Sequence, residues 1–274
     1  MKHLVRSDGV SQELLIPQVG SVFSADIAVP EHERELRFYS RVLSAGSAPL
    51  WRQDLLNNLG LPIIGLGAMN DGYAQLPLQW MPHIQVADVA ASVQRALALG
   101  GKELMHHKAE DGSSQWAVLA DPNGAAFGLV PVISSESLPP AAKTQPEENK
   151  AAGRIDWLDL TVPDAAATRN FYREVVQWSV EEVPMEDENG TYVDYKMLGS
   201  AGTPVAGICH ARGANADLPP VWMIYLPVAD LSESLRRVEE EGGKIHKTVR
   251  DDEGRWVYAA IEDPVGVWFA LVQA

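Results

Sequence analysis

Two aspartates stand inside strongly apolar segments of this chain and are the first candidates for chemistry. Asp159 lies in "DWLDLTVP", two residues after Trp157, and Asp26 lies in "FSADIAVP", two residues after Ser24. Both segments read as strands, and residues two apart on a strand share a face. Burial beside an indole ring disfavours a charged carboxylate, so Asp159, and Asp26 with it, are candidate general bases. The alternative is that both aspartates accept hydrogen bonds from neighbouring Tyr, Trp or backbone groups and only hold the sheet.

Two further strands combine a polar group with methionine. His83 follows Met81 by two residues in "WMPHIQV", and Tyr225 follows Met223 in the same way in "WMIYLPV". Tyr225 could orient or protonate a substrate oxygen, and His83 is either a catalyst or a hydrogen-bonded wall residue. A few polar groups in a wall of aromatic and methionine side chains are typical of a small-molecule pocket.

Other reactive residue types have no supporting pattern. His106 and His107 are adjacent on a strand and therefore point to opposite faces, which favours surface roles over shared metal binding. Cys209 lacks an evident neighbouring base, so a buried small side chain is expected rather than a nucleophile. The chain carries no phosphate-binding Gly-Lys-Ser/Thr loop, no nucleophile elbow and no His-Glu-x-x-His motif.

The chain repeats itself. Between Trp80 and Val130, 18 of 51 positions are identical to the position 142 residues later, where chance would give about three. The matched features include a Trp-Met pair, "VAD", "GGK" and the strand endings "DPNGAAFGLV" and "DPVGVWFALV". Nearer the start of each copy the offset is 133 residues, and the second copy has room for a full hairpin that is shortened in the first copy.

The patterns predict two domains joined by a linker. We expect a first domain over 18–132, a Pro-, Ala- and charge-rich linker over 133–152, and a second domain over 153–274. Each domain runs strand, helix and several strands, twice, which predicts an α+β protein of four βαβββ units.

Composition limits the partners. The chain of 274 residues has a formal net charge of −15, which argues against nucleic acid or an anionic membrane surface as a partner. A single cysteine excludes an intrachain disulfide, and we found neither a signal-like segment nor a stretch of membrane-spanning length. A cytoplasmic protein is therefore expected.

The ordered set of motifs resembles the vicinal-oxygen-chelate superfamily of glyoxalase I, bleomycin-resistance proteins and extradiol dioxygenases. The similarity is in "FYREVV" after a strand ending in Val-Pro-Asp, "VADLSESLRRVEEEGGK" after an apolar strand, and the closing "DPVGVWFALV". The set occurs in both copies and is most similar to a two-domain, glyoxalase-like bacterial branch. The resemblance implies βαβββ units paired into two curved sheets that form cups. Since two units can complete a cup within one chain, it also implies either a monomer or a homodimer.

The resemblance also implies where a metal would bind. Metal-using members place a His on the first strand of a unit and a Glu on the last strand. We assign these positions to Ser24, Met81, Trp157 and Met223 on first strands and to Phe127 and Phe269 on last strands. None of these residues is a good ligand for a divalent ion. The resemblance therefore predicts no cofactor and a ligand-binding cup that also includes His83 and Tyr225.

Three functions stay open at this stage. The first is a metal-free protein that binds a small organic molecule, cationic or aldehyde-type, to sequester or sense it. The second is a glyoxalase-type lyase or isomerase, or a dioxygenase, with Asp159 as base or with a divalent metal on unconventional ligands such as Asp26, Asp159 or His83. The third is an interaction protein whose cups are only core.

Overall fold

The computed structural model describes residues 17–43, 64–134 and 155–274. The first copy of the repeat contributes two helices and six strands to this part of the chain. They are β1 (Val22–Val29), α1 (His32–Leu43), β2 (Ile64–Ala68), β3 (Met81–Val86), α2 (Val89–Ala98), β4 (Lys102–Lys108), β5 (Ser114–Ala120) and β6 (Ala126–Pro131).

The second copy is described without a gap and shows the βαβββ order twice. Its elements are β7 (Trp157–Val162), α3 (Ala165–Val176), β8 (Ser179–Asp187), β9 (Gly190–Leu198), β10 (Pro204–His210), β11 (Trp222–Val228), α4 (Leu231–Glu240), β12 (Lys244–Arg250), β13 (Trp256–Glu262) and β14 (Trp268–Gln273). The predicted α+β class is confirmed, and the additional hairpin of this copy is β8–β9. Its counterpart in the first copy and most of the predicted linker lie outside the described residues.

The helices begin where the sequence places capping aspartates. The side chain of Asp164 accepts a hydrogen bond from the amide of Ala167 at the start of α3, and Asp230 accepts one from Glu233 at the start of α4. Each bond satisfies an amide that has no partner within the helix.

The chain forms two compact units, each of which combines parts of both copies. Unit 1 contains β3–β6 with α2 and β7–β10 with α3, and its strands follow the orders β3-β6-β5-β4 and β7-β10-β9-β8. Unit 2 contains β1 from Ser24 onward, α1, β2 and the segment from β11 to β14 with α4; its orders are β2-β1 and β12-β13-β14-β11.

The repeated "GGK" motif makes room for an aromatic ring in each unit. A Cβ added to Gly101 would lie 3.2 Å from the Phe171 ring of α3, and one added to Gly243 would lie 2.9 Å from the Phe38 ring of α1. The 2.9 Å contact would require one of the two groups to shift, and the 3.2 Å contact is tighter than most real Cβ contacts. Glycine at these positions therefore lets the helix aromatics pack against the strand that follows.

Candidate functional site

The two faces of each sheet differ in what they contact. We call the face that packs on the helices the helix-proximal face and the opposite one the helix-distal face. Phe127 is fully buried on the helix-proximal face, with its ring centroid 6.1 Å from that of Phe171 and 5.2 Å from that of Tyr172. Phe269 makes the equivalent contacts with Phe38 and Tyr39.

The predicted orientation of these two phenylalanines is therefore wrong. We expected Phe127 and Phe269 to stand where an acidic ligand would face the cup, but both pack under helices instead. Because side chains alternate along a strand, the helix-distal positions are Gly128 and Ala270, one residue later. Gly128 pairs with His83, and Ala270 pairs with Tyr225.

A buried polar network joins the Asp-Pro-x-Gly turns to the helices. In unit 1 the Asp121 carboxylate accepts bonds from the amides of Asn123 and Ala125, and the Tyr172 hydroxyl lies 3.4 Å from its Oδ2. Trp222 Nε1 donates to that hydroxyl over 3.0 Å. Burial raises the pKa of Tyr172 well above its usual value, which keeps the hydroxyl protonated.

Unit 2 repeats the network with its own residues. The Tyr39 hydroxyl donates to Oδ2 of Asp263 over 2.8 Å, and Trp80 Nε1 donates to Tyr39 over 3.2 Å. Trp80 and Trp222 therefore lie under the helices, and because side chains alternate along a strand, Met81 and Met223 point to the opposite face. It also explains why the terminal strand occurs twice, since each copy anchors one helix through its aspartate and its phenylalanine.

The helix-distal face of β3 and β6 brings His83 over a glycine. A Cβ added to Gly128 would overlap Cδ2 of His83 and lie 2.7 Å from its Nε2. Met81, two residues before His83, is 3% exposed. The imidazole therefore lies directly on the backbone of β6, and glycine is the residue that permits this contact.

The helix-distal face of β11, β13 and β14 is an aromatic wall above small residues. The rings of Tyr225 and Tyr258 lie 5.6 Å apart, and each residue is less than 5% exposed. Ala260 of β13 and Ala270 of β14 are paired on the same face as the two tyrosines. Lys247 Nζ lies 5.6 Å from the centroid of the Tyr258 ring. Met223, also buried, precedes Tyr225 by two residues on β11. We call Met223, Tyr225, Tyr258, Ala260 and Ala270 the tyrosine wall.

The two candidate aspartates lie in different units. Asp159 of unit 1 accepts a 2.8 Å hydrogen bond from Trp157 Nε1, so the two residues share a face as predicted. This is the kind of bond that the structural alternative expects, and a catalytic role for Asp159 stays a prediction. In unit 2, Ser24 is buried and Asp26 is half-buried on β1, where Asp26 pairs with Gly65 of β2.

The sequence did not reveal a His–Asp pair at the end of β10. Asp194 of β9 is 1% exposed, and its Oδ1 accepts from the backbone amide of His210 over 2.8 Å and lies 3.0 Å from His210 Nδ1. Its Oδ2 is buried without a hydrogen-bond partner. The two residues are 16 positions apart on neighbouring strands, so the predicted hairpin was the only feature of the sequence that could have indicated that they lie close together.

The remaining reactive residues have local partners. His106 contacts Glu103 through Nδ1 and Ser114 through Nε2, while the ring of His107 stacks on Trp116. Cys209 is 4% exposed, in agreement with the expected buried position.

The helix-distal residues do not fit a divalent metal ion at the positions that the resemblance implies. Trp157, Met81, Met223 and Ala270 offer no oxygen, imidazole or thiolate ligand, Gly128 has no side chain, and Ser24 offers only a neutral hydroxyl. Within residues 17–43, 64–134 and 155–274, no group of three or more His, Cys, Asp or Glu side chains is arranged to hold a metal.

Comparisons with known proteins agree with the geometry. The family model for the glyoxalase/bleomycin resistance protein/dioxygenase superfamily matches residues 154–271, and the model for a glyoxalase-like domain matches residues 23–130. The anthracycline biosynthesis protein DauV of Streptomyces sp. (strain C5) is 27% identical over 208 residues, which cover 76% of this chain and 70% of that protein.

Two solved structures share the fold. The Mn(II)-bound glyoxalase from Novosphingobium aromaticivorans has a TM-score of 0.57 at 15% identity, over 93% of this chain and 82% of that one. The 2,2',3-trihydroxybiphenyl 1,2-dioxygenase of Sphingomonas wittichii strain RW1 has a TM-score of 0.55 at 14% identity, over 94% of this chain and 91% of that one.

Among the described helices, none has the length and hydrophobicity required to cross a membrane.

Proposed function

Because the chain belongs to the glyoxalase/bleomycin resistance protein/dioxygenase superfamily, we propose that it binds a small organic molecule on the helix-distal faces of its sheets, without a resident metal ion. One observation supports this most directly. The positions that would carry metal ligands hold Trp157, Met223, Gly128 and Ala270, which provide apolar surface or space instead of donor atoms.

The tyrosine wall supports an aromatic ligand in particular. Two alanines lie side by side next to two tyrosine rings, and aromatic groups favour offset or edge-to-face stacking with such rings. The similarity to a protein of anthracycline biosynthesis also suggests an aromatic ligand. The net charge of −15 would favour a cationic substituent on that ligand.

The alternative proposal is turnover, in which Asp159 abstracts a proton in a lyase or isomerase reaction. It is favoured by the position of the carboxylate beside the buried indole of Trp157, to which it is hydrogen-bonded. In that case Asp159→Asn, which retains the acceptor for the indole, would abolish turnover and leave ligand affinity unchanged.

Native mass spectrometry of protein purified without chelators tests the main proposal. We expect a chain without stoichiometric metal, to which an added aromatic compound binds with one or two equivalents. Tyr258→Ala should weaken that binding, whereas Tyr73→Ala, a change at an exposed tyrosine, should not. Stoichiometric Fe, Mn, Ni or Zn in the purified protein would contradict the metal-free proposal.

A further inference from the structure

A register shift in β12 directs Lys247 toward the tyrosine wall. In the ladder between β12 and β13, Ile245 pairs with Ile261 but Lys247 pairs with Ala260, so the register moves by one residue between the two pairs. In an unbroken ladder Lys247 would pair with Ala259, whose side chain lies on the opposite face of β13. The shift therefore places Lys247 beside Ala260, a member of the tyrosine wall. Strand irregularities of this kind commonly redirect a side chain.

The first copy of the repeat has the same register shift but a different side chain. In the ladder between β4 and β5, Glu103 pairs with Leu119 and Met105 pairs with Val118. Met105 precedes Lys247 by the repeat offset of 142 residues. The backbone thus sets this position in both units, and the fold accepts an apolar side chain there. A cation at the position in unit 2 is not needed for the fold, which favours a role in binding.

The ammonium group of Lys247 lies within reach of a ligand on the wall. Its Nζ is 5.6 Å from the centroid of the Tyr258 ring, inside the range of about 6 Å over which a cation is attracted to a ring face. The Tyr225 ring lies 5.6 Å from the same ring. A ligand ring stacked on these tyrosines, at about 4.5–7 Å between centroids, would bring its substituents close to Nζ. Lys247 is half-buried and Tyr258 is buried, so water screens a charge at this place less than it does on an open surface.

The neighbouring basic residues of β12 bind a carboxylate of their own. Lys244 Nζ donates to Oε1 of Glu262 over 2.7 Å, and His246 Nε2 lies 2.7 Å from Oε2 of the same residue. Glu262 is therefore occupied by these two side chains. The ammonium group of Lys247 has three N–H donors, so a ligand oxygen can be added to the interactions that it already makes.

We propose that Lys247 makes the tyrosine wall selective for aromatic ligands that carry an anionic oxygen, either a carboxylate or an ionised hydroxyl group. This inference rests on the proposed binding function and specifies the ligand chemistry. The net charge of −15 acts at long range and is screened beyond about 8 Å at physiological ionic strength, whereas Lys247 would contact the ligand directly. At this wall the local cation therefore outweighs the net charge, and an anionic substituent is favoured over a cationic one.

Three probes with the same ring and different charge test the proposal. They are 2-naphthoate, which is anionic at neutral pH, 2-naphthamide, which is neutral and similar in shape, and 2-naphthylmethylammonium, which is cationic. By isothermal titration calorimetry we expect 2-naphthoate to bind about tenfold more tightly than 2-naphthamide, as one hydrogen-bonded ion pair would produce. The cationic probe should bind most weakly of the three.

Variants on β12 and β13 assign the effect to one side chain. Lys247→Met introduces the residue that the first copy has at this position, and it should remove the preference for 2-naphthoate while 2-naphthamide affinity and circular dichroism remain those of wild type. Lys247→Arg keeps the charge and should retain the preference. Lys244→Met is the matched control: it removes one positive charge from the same strand, at a lysine bonded to Glu262, and should leave the preference intact. Tyr258→Ala should weaken the binding of both probes.

The outcomes separate the two proposals. If none of the three probes binds, the binding function itself is contradicted. If 2-naphthoate and 2-naphthamide bind equally, if the cationic probe binds most tightly, or if Lys247→Met retains the preference, the binding function stands and the role of Lys247 is overturned. A loss of the preference in Lys244→Met as well would assign it to the overall charge and would also overturn that role.

Discussion

The buried carboxyl group of Glu35 should make the stability of this protein fall as the pH rises. Glu35 of α1 is fully buried, and neither of its oxygens has a hydrogen-bond donor among the described residues. It interacts with the carboxyl group of Asp263, and two neighbouring buried carboxyl groups repel each other strongly unless one of them holds a proton. Burial, followed by the charge of Asp263, raises the pKa of Glu35 from 4.5 to about 8.

The direction and size of the effect follow from this shift. The folded protein holds a proton on Glu35 that the unfolded chain releases above about pH 4.5, so its stabilising contribution is complete below that pH and is lost as the pH rises through about 8. At about 1.36 kcal/mol per pKa unit, the loss between about pH 5.5 and about pH 8.5 is about 3 kcal/mol. Because Asp263 shares the proton, this figure is an upper value.

Urea denaturation of wild type and Glu35→Gln at these two pH values measures the effect. Glutamine keeps the shape and cannot ionise, so the variant should lose about 3 kcal/mol less than wild type on going from the lower to the higher pH. Glu33→Gln, a change at an exposed position on the same helix, should follow wild type. Equal pH dependence in wild type and Glu35→Gln would refute the assignment of a proton to Glu35.

Two further substitutions test the packing. Gly128→Ala should lower the free energy of unfolding by about 1–3 kcal/mol, because the added Cβ would overlap the His83 ring. Gly67→Ala is the control: the atom nearest to its added Cβ would be 3.8 Å away, so this change should be nearly neutral. Thermal denaturation measures both. Trp222→Phe removes the donor to the Tyr172 hydroxyl and should cost about 1–3 kcal/mol in the same assay; no loss would contradict the network.

The fold could be predicted because its signals occur twice. Alternation in "DWLDLTVP", the capping aspartates Asp164 and Asp230, and the "GGK" and Asp-Pro-x-Gly motifs each indicate one element, and the repeat fixes their order. The faces of the strands were harder to assign. An error of one residue at Phe127 and Phe269 exchanges the two faces, because side chains alternate with a period of two.

The His210–Asp194 pair could not have been predicted from spacing alone. It depends on the point at which β9 and β10 stop pairing, and their ladder has a register shift between Pro204 and Ala206. The burial of Glu35 was missed for a related reason. In "EHERE", Glu35 stands among charged residues that are typical of a solvated helix surface. Only its contact with Asp263, which is far away in the sequence, separates it from its exposed neighbours.

The differences between the copies indicate which parts of the molecule carry specific function. The Asp–Tyr–Trp network, the Phe of the last strand and the glycines beneath the helix aromatics occur in both units, and all of them lie on helix-proximal faces. The polar groups on other surfaces differ: His83 corresponds to Tyr225, and His210 corresponds to Ala68. A shared scaffold with unlike polar groups is the pattern expected if each copy stabilises the fold in the same way while the polar surfaces serve different roles.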